Sequence, residues 1–212
     1  MCGIFGSKDK SKYIKLYLMN KERGDYSYGG NYISSTSSIV HRSRTGPFSY
    51  NDIADAEYYI GHTRAPTGSQ ETFDIDQCHP FSNKKFVYAH NGILNTTELE
   101  EKYNTKHNVD SKWLSTVFED FFNLENLKTY IAGTYAVWGV DQSSKDVYLF
   151  RGANPIYWDT YTLSFSSQKY NDTFTLLEEG KVYTFNPIDV TKHKLEVYGE
   201  FNYNSPYFIP GD

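Results

Sequence analysis

Short runs of aromatic and β-branched residues, separated by turn-forming positions, dominate this chain, and helical spacing interrupts them in two places. Residues 2–7 (CGIFGS) read as a strand. Ser11 is placed to cap a helix running to about Glu22, with Tyr13, Ile14, Tyr17 and Leu18 on one face and Gly24 beyond its end. Residues 27–42 read as two short strands, and 57–64 (EYYIGHTR) and 85–90 (KFVYAH) as two more. Thr96 heads a short helix, TELEEKY. Asp110 is placed to cap a longer one, striped by Trp113, Leu114, Val117, Phe118 and Phe121. After residue 131 the pattern is almost wholly that of strands: YAVWGVD, DVYLFRG, TLSFSS, TFTLL, KVYTFNP and KLEVYGEF. Strands, a helical middle, then strands again is an α+β layout without the regular alternation of a doubly wound fold.

Composition adds a few bounds. The 212 residues suit one domain, spanning 2–212, with no linker rich in Pro, Gly or Ser and no internal repeat. Twenty Tyr and 14 Phe favour a sheet-rich interior over a helical bundle. A formal charge of −5 without a basic block gives nucleic-acid binding no electrostatic support. No apolar run reaches membrane length, no secretory signal opens the chain, and two Cys make no disulfide framework, so the expected setting is cytoplasmic and reducing. Neither the six His, at 41, 62, 79, 90, 107 and 193, nor the Cys78-His79 pair has the spacing of a metal site. No phosphate loop or dinucleotide fingerprint is present, so no cofactor is expected. Cys78 reads as structural, and His62 and His90 as core or supporting groups.

The candidate chemistry begins at Cys2. Loss of Met1 would leave a thiol and a free α-amine on one residue, and an amine with a pKa of about 7.7–8.0 is able to take the thiol proton. The competing reading is a buried Cys acting as a small hydrophobe in an edge strand. Arg64 and Thr67, in GHTRAPTGS, offer a planar fork and a hydroxyl to a carboxylate; a strand end with a surface Arg is the alternative. Asn91-Gly92 is either a hairpin turn or an oxyanion-hole pair. Asp110 is either a helix cap or a carboxylate facing an ammonium.

The order of the motifs narrows these choices. MCGIFG at the start, RGDYSYGG at 23–30, GHTRAPTGS at 61–69, HPF at 79–81, AHNGIL at 89–94 and Asp110-Ser111 together resemble the class II glutamine amidotransferases. The nearest likeness is to the glutaminase half of glutamine–fructose-6-phosphate amidotransferase, with the phosphoribosylpyrophosphate amidotransferases next. It continues through IAGTYAVWGVD, LFRGANPIYW, LSFSSQ and TLLEEGKVYTFNP, so the motif-bearing part is about 2–187 and a short extension follows at 188–212.

The resemblance implies a four-layer αββα sandwich of two antiparallel sheets, the N-terminal-nucleophile hydrolase fold. It implies that Cys2 attacks the glutamine side-chain amide with its own amine as base, and that Asn91 and the Gly92 N–H stabilise the oxyanion. Arg64 and Thr67 would hold the α-carboxylate, and Asp110 with the Gly92 carbonyl the α-ammonium. Arg23 and Gly24 match the family's Arg-Gly turn in a supporting role. Where close relatives carry an aromatic after the loop Arg, this chain has Ala65, and Pro66 and Gly68 also differ, which bears on the lid over the site and its coupling to an acceptor. No synthase or transferase domain is expected within 2–212, so released ammonia would go to a separate partner chain. Two other readings are an N-terminal-nucleophile amidohydrolase of another amide and an inactive glutaminase-like binding module.

Overall fold

The computed structural model describes residues 1–47, 50–65, 74–119 and 132–203. The elements are β1 (Gly3–Ser7), α1 (Lys10–Lys21), β2 (Ser27–Ile33), β3 (Ser38–Ser43), β4 (Tyr58–Arg64), β5 (Phe81–Ser82), β6 (Phe86–Asn95), α2 (Thr97–Tyr103) and α3 (Leu114–Glu119). Then come β7 (Ala132–Asp141), β8 (Val147–Gly152), β9 (Tyr157–Asp159), β10 (Ser164–Ser166), β11 (Thr175–Leu176), β12 (Lys181–Phe185) and β13 (Glu196–Glu200). One sheet runs β11-β9-β10-β1-β4-β2-β3 and the other β13-β12-β8-β7-β6-β5, with antiparallel pairing throughout.

Side chains alternate between the two faces of a strand, and here the alternation sorts apolar residues into three interfaces. Ile4, Tyr58, Ile60, Val87, Ala89, Ala136, Trp138, Leu149 and Phe165 meet between the sheets. Their neighbours Phe5 and Tyr59 face outward against Tyr13, Leu16 and Tyr17 of α1. On the other outer face, Phe86, Tyr88, Tyr135, Val137 and Phe150 pack with Val109 and Leu114. Two sheets face to face with helical segments outside them form the expected α+β sandwich. The tyrosines that enrich the sequence fill the outer interface under α1, where Tyr28 Oη bonds Tyr32 Oη at 2.9 Å and also meets Tyr13 Oη, so their hydroxyls satisfy one another.

Several local expectations change. Asp9 caps α1, accepting from Lys12 N at 2.7 Å, while Ser11 sits in the first turn. Leu16 is the buried leucine of that helix and Leu18 is exposed, because the face turned to the sheet is set by Tyr13, Leu16, Tyr17 and Asn20. Asp110 is not a cap: it begins a 3-10 turn, Asp110–Trp113, whose preceding residue is Val109, and α3 follows that turn. Trp113 and Leu114 are buried as expected, but Phe121 and the side chains of Val117 and Phe118 lie outside what is described. The short strands β5 and β9 carry too few residues for a period to show. No helix among the described residues is long and apolar enough to cross a membrane.

Trp138 is fully buried between the sheets. Trp138→Ala should cost about 3–5 kcal/mol in urea unfolding, since the cavity left between two paired sheets cannot collapse. A loss under about 1 kcal/mol would contradict this packing.

Candidate functional site

Pairing of β1 with β4 sets Gly3 opposite Thr63, which brings Cys2, one residue earlier, to the end of β4 where Arg64 lies. The Cys2 thiol points at Ala65 O, 4.0 Å away. Arg23 Nε donates to Cys2 O at 2.9 Å, and the N-terminal ammonium of Met1 donates to Arg23 O at 2.9 Å. A Cβ on Gly24 would strike the backbone of Arg64 and Ala65. The Arg-Gly turn thus holds the Cys2 peptide through its first residue and lets the end of β4 approach through its second.

Arg64 is buried, its guanidinium 5.1 Å from the centre of the Tyr26 ring. Its Nη1 has no hydrogen-bond partner among the described residues. A buried guanidinium N–H without a partner is costly, and a carboxylate matches it in charge and geometry.

The second sheet supplies the opposite wall. β6 does not turn at Asn91-Gly92 but runs straight through them to Asn95, pairing Asn91 with Ala136 and Gly92 with Tyr135. The hairpin-turn reading therefore fails, because the alternation that marks a strand is masked by two residues better known from turns. Gly92 has φ +145°, a conformation that favours glycine. Asn91 is buried, with Nδ2 3.5 Å from Ser167 Oγ, the outer limit of a hydrogen bond. Asp110 Oδ2 accepts from Leu94 N at 2.8 Å and Oδ1 from Ser111 N at 2.8 Å. This ties the 3-10 turn to β6 just past Gly92. A cavity of about 610 Å³ opens here, lined by Cys2, Arg64, His90, Gly92, Asp110 and Ser111 among others. Asn91 itself does not line it, and Thr67 lies outside the described residues.

Burial, with a smaller contribution from Asp110, pushes the Cys2 thiol up from its ordinary value, while a backbone hydrogen bond at Ala65, the N-terminal ammonium and Arg64 act in the other direction. The resting group is a thiol that needs a base. Along the cavity wall runs a polar chain with no signal in the spacing of its members. Ser111 Oγ is 2.7 Å from both His79 Nε2 and His90 Nδ1, so the hydroxyl donates to one ring and accepts from the other. His62 Nε2 donates to His90 O at 3.0 Å, and His90 Nε2 stands 3.7 Å from Asp110 Oδ2. Burial lowers the pKa of all three histidines; for His62 it falls from 6.5 to about 3, helped by His90 and Arg64. Neutral rings fit the supporting role expected of His62 and His90. HPF and Asp110-Ser111 stand out as motifs, but nothing in the sequence links His79 to Ser111. Cys78 is fully buried with its thiol donating to Asp74 O at 3.2 Å, as befits a structural cysteine.

No family model matches the chain. Among curated proteins, 7-cyano-7-deazaguanine synthase of Saccharolobus solfataricus is 28% identical over an alignment covering 93% of this chain and 47% of that protein. Glutamine–fructose-6-phosphate aminotransferase (isomerizing) of Staphylococcus aureus is 25% identical over 74% of this chain and 30% of that protein. The chain thus spans half or less of the length of these relatives. In three dimensions it resembles glutamine phosphoribosylpyrophosphate amidotransferase from B. subtilis, with TM-score 0.69 and 17% identity over 93% of this chain and 49% of that one. A structure described as the allosteric regulatory enzyme of purine biosynthesis matches with TM-score 0.73 and 18% identity over 96% and 50%. The fold is shared with these structures, and the resemblance to a class II glutamine amidotransferase domain holds.

The neutral histidines imply a pH dependence. Above about 6.5, His62 is neutral in folded and unfolded chains alike. Below it the unfolded chain takes a proton that the folded one refuses until about pH 3, so stability falls as pH drops through that window. Unfolding curves from pH 7 to 4 should show a shallower decline in His62→Gln, by up to about 1.4 kcal/mol per pH unit, since the Gln amide keeps a donor at the Nε2 position for His90 O without titrating. An unchanged slope would contradict the neutral assignment.

Proposed function

We propose that this chain hydrolyses the side-chain amide of glutamine to glutamate and ammonia, with Cys2 as the nucleophile once Met1 is removed. The observation that carries the proposal is the adjacency of Cys2 and Arg64 on one wall of a cavity whose other wall bears Gly92 and Asp110. A free amino acid is a zwitterion, and it needs a cation and an anion held apart. Arg64, with its unpartnered Nη1, would take the α-carboxylate, assisted by Thr67; Asp110 and the Gly92 carbonyl would take the α-ammonium.

In the proposed reaction the α-amine of Cys2 accepts the thiol proton and sulfur adds to the amide carbon. The oxyanion is met by Asn91 Nδ2 and the Gly92 N–H. The tetrahedral adduct collapses as the amine returns its proton to the leaving nitrogen, giving ammonia and a γ-glutamyl thioester. Water then adds, its proton going to the same amine, and glutamate leaves with the thiol restored. Arg23 and Gly24 would keep Cys2 in place by the contacts described above. A cytoplasmic setting would keep the thiol reduced, and the ammonia would pass to a separate synthase or transferase subunit. Ala65, small where an aromatic is usual, would leave the lid over the site lighter.

Intact mass should show Met1 absent from the active protein. Cys2→Ala should abolish glutamate release while Cys78→Ala retains it; hydrolysis surviving in Cys2→Ala would refute the nucleophile. Arg64→Lys should raise KM for glutamine about tenfold or more with a smaller change in kcat, because an ammonium cannot reproduce the two-pronged contact. A wild-type protein that ignores glutamine but cleaves another amide would point to a different amidohydrolase. One that does neither, with Met1 removed, would point to a binding module.

A further inference from the structure

The peptide joining Asn91 to Gly92 is gripped from outside β6. Asn154, in the loop after β8, donates from Nδ2 to Asn91 O at 2.8 Å. The loop is itself fastened. Ala153 has φ +62°, unusual for a residue with a side chain, and Asn154 N bonds back to Gly152 O at 2.9 Å. Buried Arg151 holds this bend from behind, donating to Asn154 O at 2.8 Å, Leu177 O at 3.1 Å, Ala153 O at 3.2 Å and Glu179 Oε1 at 2.9 Å. Glu179 Oε1 also accepts from Ala153 N at 3.2 Å. The guanidinium thus ties the 153–154 bend to the 177–179 segment. On the strand side, a Cβ at Gly92 would collide with Thr134 O and come within 2.7 Å of Asn154 Nδ2.

In a trans peptide the C=O and the following N–H lie in one plane and point opposite ways. A donor that fixes Asn91 O therefore fixes the direction of the Gly92 N–H, away from Asn154. Gly92 lines the cavity that Cys2 lines from the facing sheet. We infer that Asn154 is a positioning residue for the reaction. Its side-chain amide, braced by Arg151 and Glu179, holds the Asn91–Gly92 peptide so that the Gly92 N–H points at the oxygen of the tetrahedral adduct. This rests on the glutaminase reading above. It adds that the oxyanion donor is oriented by a residue that touches neither substrate nor thiol. A backbone N–H aimed in advance needs no reorganisation as charge develops, so its misdirection weakens the transition state more than the bound substrate.

The test uses the chain freed of Met1, with Asn154→Ala, which removes the donor, and Asn154→Asp, which sets an acceptor against Asn91 O. Both should lower kcat for glutamine about tenfold or more with KM changed less than about threefold. The γ-aldehyde analogue of glutamine forms a tetrahedral hemithioacetal on Cys2 and should lose affinity in parallel with kcat. Glutamate, which is planar at that carbon, should bind as before. In both variants the amide resonance of Gly92 should shift. Unchanged kcat would overturn the inference, as would equal losses for aldehyde and glutamate, or a Gly92 resonance that stays in place. If the wild-type chain releases no glutamate, the proposed function falls. The Gly92 resonance then still decides whether Asn154 holds that peptide, and immobility would sink the clamp as well.

Discussion

Gly3 stands opposite Thr63 in the ladder between β1 and β4, and the arrangement at the cavity depends on that register. A slip of one residue would reverse the faces of β1, sending Ile4 toward α1 and Phe5 into the space between the sheets. The two apolar interfaces therefore lock the register from both sides. With it locked, Cys2 has little freedom: the strand fixes the residue after it, Arg23 holds its carbonyl, and the end of β4 supplies both the Ala65 carbonyl beneath the thiol and the Arg64 side chain beside it. The position of the thiol is a property of the sheet more than of the N-terminus.

The second sheet contributes through a different device. β6 outruns β5, which pairs only with Val87 and Tyr88, so among the described residues the Asn91–Gly92 stretch has β7 on one side and no strand on the other. The loop after β8 reaches across to hold the Asn91 carbonyl, and Asp110 ties Leu94 N to the 3-10 turn. Behind them a buried set of three neutral histidines and Ser111 fills the space with hydrogen-bonded rings rather than charge. Arg64 is then a buried cation on the same cavity as the thiol, and the neutral histidines do not compete with it for an incoming carboxylate.

Much of this was legible in the sequence for reasons that are local. β1, β4 and β6 carry short runs rich in aromatic and β-branched residues, and Cys2, Arg64, Asn91-Gly92 and Asp110 each sit in a short recognisable motif. What escaped has no local signature. Asn91-Gly92 is a turn dipeptide by propensity, and only the ladder to β7 makes it a strand. Asp110 looks like a cap because it precedes an apolar stripe, whereas its carboxylate accepts from Leu94 N and Ser111 N at the cavity. Asn154 and Ser111 act across sequence separations of 63 and 32 residues, onto Asn91 and His79. No periodicity reports such pairs; they exist only once the sheets are packed.

The central claim is that Cys2 forms a covalent bond with the side-chain carbon of glutamine. The most direct measurement mixes the Met1-free chain with glutamine, quenches in acid within the first turnovers and maps the peptides by mass. The account predicts a glutamyl group on the N-terminal Cys2 peptide, absent from the Cys78 peptide and lost when Cys2 is replaced. Glutamate release without any adduct on Cys2, or an adduct on another residue, would contradict it.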